Sequence, residues 1–458
     1  MIPLTLGRIA EVVDGRVLGS PDVVVDAPAS IDSRAVDAGG LFVALSGEHV
    51  DGHDYVPQAI AAGAAGVLAS RDVEAPAVVV DDVQTALGRL ARHVRGELAD
   101  LHAIGITGSQ GKTSVKDLVA HLLATDGPTV ATRGSFNNEL GLPLTVLRAT
   151  EHTEYLVVEM GARGRGHIAE LCAIATPEIG AVLNVGHAHV SEFGSPAETA
   201  VAKGELVEAL PASGTAILNA DDPLVAPMAD RTDATVLTFG AAGDVAVSDI
   251  RLDGLGEPTF TLSHDGESIQ VHVPQPGAHV ADNAAAAVTI AVALGLRLDQ
   301  VAEGLASAAP ASAMRMQRDV RDDGLLVVND AYNANPESMS AALRSVAAMR
   351  RGRRVAVLGE MLELGDASPG AHHDVGVLAA ELGFDRVVVV GDGAAPIVDG
   401  AETVSPGIAV LVPDVDVAVR TLSAWLDVDD VVLVKASRGC RLERVAEALL
   451  HGRDTHVG

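Results

Sequence analysis

The stretch of this chain best equipped to do chemistry is GITGSQGKTS, residues 105–114. A glycine turn lies between an apolar strand-like run (HAIGIT) and a helix-forming run (SVKDLVAHLLA). That context offers backbone N–H groups and a helix N-terminus, which together hold phosphate. Lys112 can neutralise β- and γ-phosphates, and the Thr113 hydroxyl can reach a Mg²⁺ ion. The common phosphate loop, G-x-x-x-x-G-K-[ST], would need glycine at 106. The chain has Ile106 there, with its nearest glycines at Gly105 and Gly108. Thr107, Gly108, Ser109, Gln110, Gly111, Lys112, Thr113 and Ser114 are therefore expected to contact a nucleotide through a variant loop.

Mg²⁺ takes hard oxygen ligands. YLVVEMG predicts a strand ending in Glu159, at the carboxyl edge where open α/β sheets present ligand groups. GAVLNVG predicts a second strand whose end puts Asn184, His187 and His189 on the same rim. Ser195, Pro196 and Glu198 mark a helix start: N-cap, proline at the first position and capping-box acid. Lys203 falls about two turns into that helix. A lone helical lysine is ordinarily a solvated charge, and its type and position alone give it no role. His279 and Asn283 share one helix face at i and i+4. An adenine-facing pair or plain capping suits them better than half of a metal site. Asp330 ends the run LLVVND before the amide-dense AYNANPES, and VVLVKASRG ends in Lys435, Ser437 and Arg438. Taken singly, each of these is more readily read as structural than as catalytic.

Such groups must be held by several layers of strand and helix. At 458 residues the chain exceeds one core, so two or three domains are expected. Hydrophobic residues make up 48% and aromatics only 2%, so the cores rest on Ala, Val and Leu. Residues 1–98 predict a small α/β unit with strands in LFVAL, GVLAS and AVVVDD. Residues 99–312 alternate apolar runs (YLVVEMG, GAVLNVG, TAILNADD, TVLTFG) with helical sequence, the pattern of a buried and mainly parallel sheet. A more β-rich stretch, VAVSDIRL to SIQVHVP, precedes the helix HVADNAAAAVTIAVALG. Residues 313–458 predict a five-strand doubly wound, Rossmann-like unit.

The formal net charge of −30 excludes a broad nucleic-acid surface. Anionic ligands must then be held by a few local cations and backbone N–H groups. Cys172 and Cys440 cannot form a disulfide framework and fit a reducing cytoplasm. Neither a signal peptide nor an apolar run of the roughly 18 residues a membrane span needs is present, so a soluble cytoplasmic protein is expected. The residues alone thus describe a three-domain enzyme using ATP and Mg²⁺. Phosphotransferase, ATPase and a silent nucleotide-binding regulator all remain open.

A longer series of motifs narrows this: TGSQGKTS, NNELGLPLTVL, VVEMGARGRGHI, LNVGHAHVSEFGS, AKGE, LNADD, PGAHVADNAAAA, NDAYNANPESM and VLGEMLELG. Together they resemble the Mur ligase family over nearly the whole chain. Within it, NNELGLPL, DAYNANP and the EMLELG segment resemble the branch that adds D-alanyl-D-alanine to UDP-N-acetylmuramoyl-tripeptide. The amino-terminal IDSRAVDAGGLFVALSGEHVDGHDYV is similar to the family's UDP-sugar domain. The Asp-Asn-Pro-Arg signature of the sister ligase that adds a diamino acid does not occur in the chain.

The resemblance implies amide formation through an acyl phosphate, with catalytic roles for Lys112, Lys203 and His189. Thr113 and Glu159 would hold one Mg²⁺, and His189 with a carbamylated Lys203 a second. Asn219, Asp222, His279 and Asn283 match nucleotide-contacting positions, with Arg315 and Asp330 reaching ATP from the far domain. Ser33 and Arg34 fall on the UDP side, and Asn137 and Asn138 near the muramoyl end. Tyr332, Asn333, Asn335, Lys435, Ser437 and Arg438 would meet substrate. Lys435 and Ser437 resemble the family's K-G-S-R element, but Ala436 replaces its glycine. His372, beside His373, is similar to the family's carboxyl-domain histidine. The implied partners are small molecules, with no nucleic acid and no membrane insertion, and the implied state is a monomer. Arg34, Lys112, Arg315, Lys435 and Arg438 are expected to build a positive cleft inside a negative exterior.

Overall fold

The computed structural model describes residues 1–47, 50–186, 195–309 and 312–451. Its three-domain α/β architecture follows from short runs of Val, Leu, Ile and Ala. In the central strands these are buried at every position, as strands covered on both faces must be. In the first domain Leu41–Val43, Gly66–Ala69 and Ala77–Val79 are such runs. With Arg16–Leu18 and Ala29–Ser30 they form a five-stranded sheet, parallel except where Arg16–Leu18 pairs with Ala77–Val79. The helix Val83–Glu97 starts at Asp82, whose carboxylate accepts from the N–H groups of Gln84 and Thr85. Its buried stripe (Val83, Ala86, Leu87, Leu90, Ala91, Val94) packs against the helices Gly141–Val146 and His167–Ala175 of the next domain.

The second sheet has nine strands. The loop-bearing strand His102–Thr107 lies between Tyr155–Glu159 and Ile179–Val182, parallel to both. Register pairs Glu159 with Ile106 and Val182 with Thr107, so three strand ends open on one rim. The β-rich stretch forms Val245–Leu252, Pro258–His264 and Glu267–His272, an antiparallel extension at one edge. The helix His279–Ala293 packs on the loop's own helix, Lys112–Leu123. Ala284, Ala285, Ala286 and Ala287 are fully buried there, a contact that small side chains make possible.

The five parallel strands expected in the third domain form, with Val431–Lys435 inserted between Leu326–Asn329 and Arg354–Leu358. A sixth strand, Gln317–Val320, joins antiparallel at the edge. QRDV lacks an apolar pattern, and only its hairpin with Leu326–Asn329 makes it a strand. Inserting the last strand beside the first places Lys435 next to Asp330. The second and third domains also meet away from this rim: Arg350 N donates to Gly254 O at 2.9 Å. Glu257 accepts from Arg318 at 2.6 Å and lies 3.1 Å from His272 Nε2. No helix among the described residues is long and apolar enough to cross a membrane.

Candidate active site

The loop between His102–Thr107 and Lys112–Leu123 is held by the neighbouring strand end. Ser109 N donates to Asn184 O (3.0 Å), Gln110 N to Asn184 Oδ1 (2.9 Å), and Gly186 N to Ser109 Oγ (2.9 Å). Gly111 caps the helix at φ 76°, and a Cβ there would lie 2.6 Å from Asn283 Oδ1. Only glycine satisfies both constraints. Lys112 Nζ folds back to donate to Gly108 O at 2.7 Å. Burial pushes its pKa down from the ordinary lysine value, opposed by the Glu159 carboxylate.

Glu159 is buried at its strand end and fully engaged. Thr113 Oγ1 donates to Oε2 at 2.9 Å, and Asn137 Nδ2 to Oε1 at 2.7 Å. Arg315, from the third domain, donates to Thr113 Oγ1 at 3.4 Å and sits over the Tyr332 ring, 4.3 Å from its centroid. The Tyr332 hydroxyl bonds Ser135 Oγ, so the second and third domains touch across the site. Lys435 Nζ donates to Asp330 Oδ2 (2.6 Å) and Asn333 O (2.8 Å), and Asp330 Oδ1 accepts from Met316 N (3.0 Å).

These groups enclose a cavity of about 590 Å³. One wall carries Ser109 to Ser114, Asn137, Asn138, Glu159, Lys203, His279 and Asn283. The facing wall carries Arg315, Asp330, Tyr332, Asn333, Asn335, Lys435 and Arg438. Six basic and four acidic side chains line it, against 32 and 62 in the whole chain, so the cavity reverses the sign of the exterior. Lys203 is buried, and burial first, then the charge of Lys112, pushes its pKa well below the ordinary lysine value. Burial likewise lowers Lys435 and His279, with Asp330 opposing in both cases. Among the described residues no group of three or more His, Cys, Asp or Glu side chains is placed to hold a metal. Thr113 and Glu159 nonetheless offer adjacent hard oxygens beside the loop, which suits Mg²⁺.

The Mur ligase middle domain description matches residues 106–291, the Mur ligase, glutamate ligase domain description residues 314–438, and the Mur ligase family, catalytic domain description residues 29–95. The sequence is 45% identical to UDP-N-acetylmuramoyl-tripeptide--D-alanyl-D-alanine ligase of Mycobacterium tuberculosis, over 98% of both chains. The chain belongs to the Mur ligase family. Two solved structures share the fold of this Mur ligase over most of its length. UDP-N-acetylmuramoylalanyl-D-glutamyl-2,6-diaminopimelate--D-alanyl-D-alanyl ligase from Acinetobacter baumannii superposes with TM-score 0.86 at 31% identity, covering 98% of each chain. MurF ligase from Thermotoga maritima, solved with ADP, superposes with TM-score 0.77 at 30% identity, covering 92% of this chain and 96% of that one.

Several expected site residues of this Mur ligase lie elsewhere. Thr107 is buried beneath the loop, donating to Met160 O (2.9 Å), and Gly108 contributes the carbonyl that holds Lys112. Asn219 donates to Leu183 O (2.9 Å) and Asp222 accepts from Val185 N (2.8 Å), so both brace the strand end that clamps the loop. Ser33 is buried against Gln58, and Arg34 is exposed and paired with its neighbour Asp32; neither lines the cavity. The cleft therefore forms without Arg34, and with Arg163 and Lys203 added. Ser437 accepts from Leu362 N at 2.9 Å and holds a loop instead of facing the cavity. The Ala436 methyl is buried against Leu442 and Gly359. The His372 ring is spent on the backbone, Nε2 accepting from Met361 N (2.8 Å) and Nδ1 donating to Ser368 O (2.7 Å). Asn335 both lines the cavity and caps the helix Pro336–Ala347. Glu198 turns to Arg165 (2.6 Å) instead of completing a capping box. His187 and His189 lie outside the described residues.

Ser135, Glu139, Arg163, His167, Gln275 and Glu363 also line the cavity and were not singled out by the sequence. The available signal was GARGRGHI, cations set among glycines directly after a strand-end acid.

Proposed function

We propose that this chain joins D-alanyl-D-alanine to UDP-N-acetylmuramoyl-tripeptide at the expense of ATP, forming the UDP-N-acetylmuramoyl-pentapeptide of peptidoglycan precursor synthesis. Full-length similarity to enzymes of that name supports it, and one observation carries it. A phosphate loop whose Thr113 touches Glu159 faces Arg315 and the Asp330–Lys435 pair across a single positively lined cavity. Loop N–H groups and Lys112, released from Gly108 O, hold the γ-phosphoryl as charge develops on it. A tripeptide carboxylate oxygen attacks phosphorus and ADP leaves, giving the acyl phosphate. The dipeptide amine then attacks the acyl carbon, the C–N bond forms, a proton leaves nitrogen, and phosphate departs.

Thr113 and Glu159 would be the oxygen ligands for Mg²⁺, which when bound would neutralise phosphate charge. Lys203 is the carbamate candidate: the modification needs a neutral amine, and burial favours that form. Carbamylation would make Lys203 an anionic oxygen ligand for a second Mg²⁺, shared with His189. Asn137 and Asn138, which line the cavity, would meet the muramoyl end of the substrate, while Ser33 and Arg34 in residues 1–98 would meet the UDP-sugar. The ATP site lies between residues 99–312 and 313–458, so productive binding closes the two together and shields the acyl phosphate from water. The protein acts as a cytoplasmic monomer without nucleic acid. Phosphate release measured with ATP and Mg²⁺ should require tripeptide and dipeptide together. Release with ATP alone would instead mark an ATPase.

A further inference from the structure

Most cations of the cavity are already held by the chain. Lys112 is tied to loop carbonyls, Arg315 to Thr113 and Tyr332, Lys435 to Asp330, and Arg438 to Glu443 at 3.0 Å. Arg163 differs. It is exposed, lines the cavity, and its guanidinium has no hydrogen bond or ion pair with any described residue. Arg165, two residues on, is paired with Glu198. Among the described residues its guanidinium is thus left to solvent beside the cavity, available to an anionic ligand.

Its place is fixed by the backbone. Gly161 N donates to Asn137 O at 2.8 Å, and Arg163 N to His167 Nδ1 at 3.4 Å. That contact sets the imidazole over the turn, with no hydrogen bond to Nε2 among the described residues. The N-terminus of the helix His167–Ala175 is already taken: Glu205 accepts from Gly166 N at 2.6 Å and from Ala169 N at 3.1 Å. What the turn offers is therefore a guanidinium fork and an imidazole, on the wall that carries Glu159, Asn137 and Lys203. A fork of this kind recognises carboxylate through two parallel hydrogen bonds.

We infer that Arg163, with His167, binds a carboxylate of the acceptor peptide other than the one being activated, an inference that rests on the ligase function proposed above. The peptide named for the Acinetobacter protein, alanyl-D-glutamyl-2,6-diaminopimelate, carries two such groups. One is the free carboxylate of the glutamyl residue, and the other is the second carboxylate of diaminopimelate. A peptide ending in L-lysine keeps only the first.

Steady-state kinetics of the wild type, Arg163→Gln and Arg163→Lys with both tripeptides, at saturating ATP and D-alanyl-D-alanine, test this. Arg163→Gln should raise KM for the peptide roughly 10- to 100-fold, the loss of a charge-assisted pair. Its kcat, KM for ATP and thermal midpoint should stay within error, and Arg163→Lys should recover part of the loss. A rise confined to the diaminopimelate peptide assigns the third residue's carboxylate, and an equal rise with both assigns the glutamyl carboxylate. Unchanged KM for both peptides in an active Arg163→Gln enzyme overturns the subsite and leaves the ligase function standing. A wild type inactive on both overturns the function itself.

Discussion

A lysine amine taken out of water is easier to keep neutral than charged, and Lys203 is buried with the charge of Lys112 acting on it. Between its lowered folded value and the ordinary 10.5, the unfolded chain binds more protons at this site than the native one. Stability therefore rises with pH across that window. Lys203→Met should flatten this slope in CO₂-free buffer, followed by thermal unfolding at stepped pH. The same variant should lose ligase activity about 100-fold or more, as losing a ligand-supporting group does. Unchanged activity would remove Lys203 from the mechanism. Glu159→Gln tests the neighbouring position. It keeps the side chain's size but removes the anion between Thr113 and Asn137. The expected result is a kcat lower by on the order of 100-fold with a raised Mg²⁺ requirement, read from a Mg²⁺ titration.

At the scale of elements, the strand–loop–helix unit depends on one backbone position. Gly111→Ala meets both a left-handed φ and Asn283. It should lower stability by about 1–3 kcal/mol and weaken ATP binding by calorimetry, while an unperturbed variant would show that the loop relaxes freely. This unit was legible in the sequence because strand, glycine turn and amphipathic helix are all local signals. Glu159 was legible too, since a strand-end acid needs only its own run to be recognised. Asn219, Asp222, Ser437 and His372 were not. Their polar atoms are bonded to backbone groups of neighbouring loops and strands, contacts that residue type alone does not announce. Arg163 and His167 escaped notice because a four-residue turn sets their relation, not a period. The edge strand Gln317–Val320 exists only through its pairing partner.

Over the whole molecule, a net charge of −30 is kept apart from a cavity where basic side chains outnumber acidic ones. Substrate anions reach that cavity against a repulsive exterior, so added salt should lower KM for the nucleotide peptide by screening. The second contact between the domains, Glu257 with Arg318, is mostly buried and lies away from the cavity rim. Arg318→Ala leaves that carboxylate without its strongest partner and should cost about 3 kcal/mol of stability, measured by denaturant unfolding. It should also enlarge the radius of gyration seen by small-angle scattering with ATP and tripeptide bound. A radius equal to that of the wild type would show that the contact does not set the domain arrangement.

The central claim is that ATP is used to activate the tripeptide carboxylate for attack by D-alanyl-D-alanine. Mass spectrometry of both products, starting from tripeptide labelled with ¹⁸O in that carboxylate, tests it in one measurement. The account predicts UDP-N-acetylmuramoyl-pentapeptide retaining one ¹⁸O in the new amide and inorganic phosphate carrying the other. Unlabelled phosphate, or no pentapeptide at all, would contradict it.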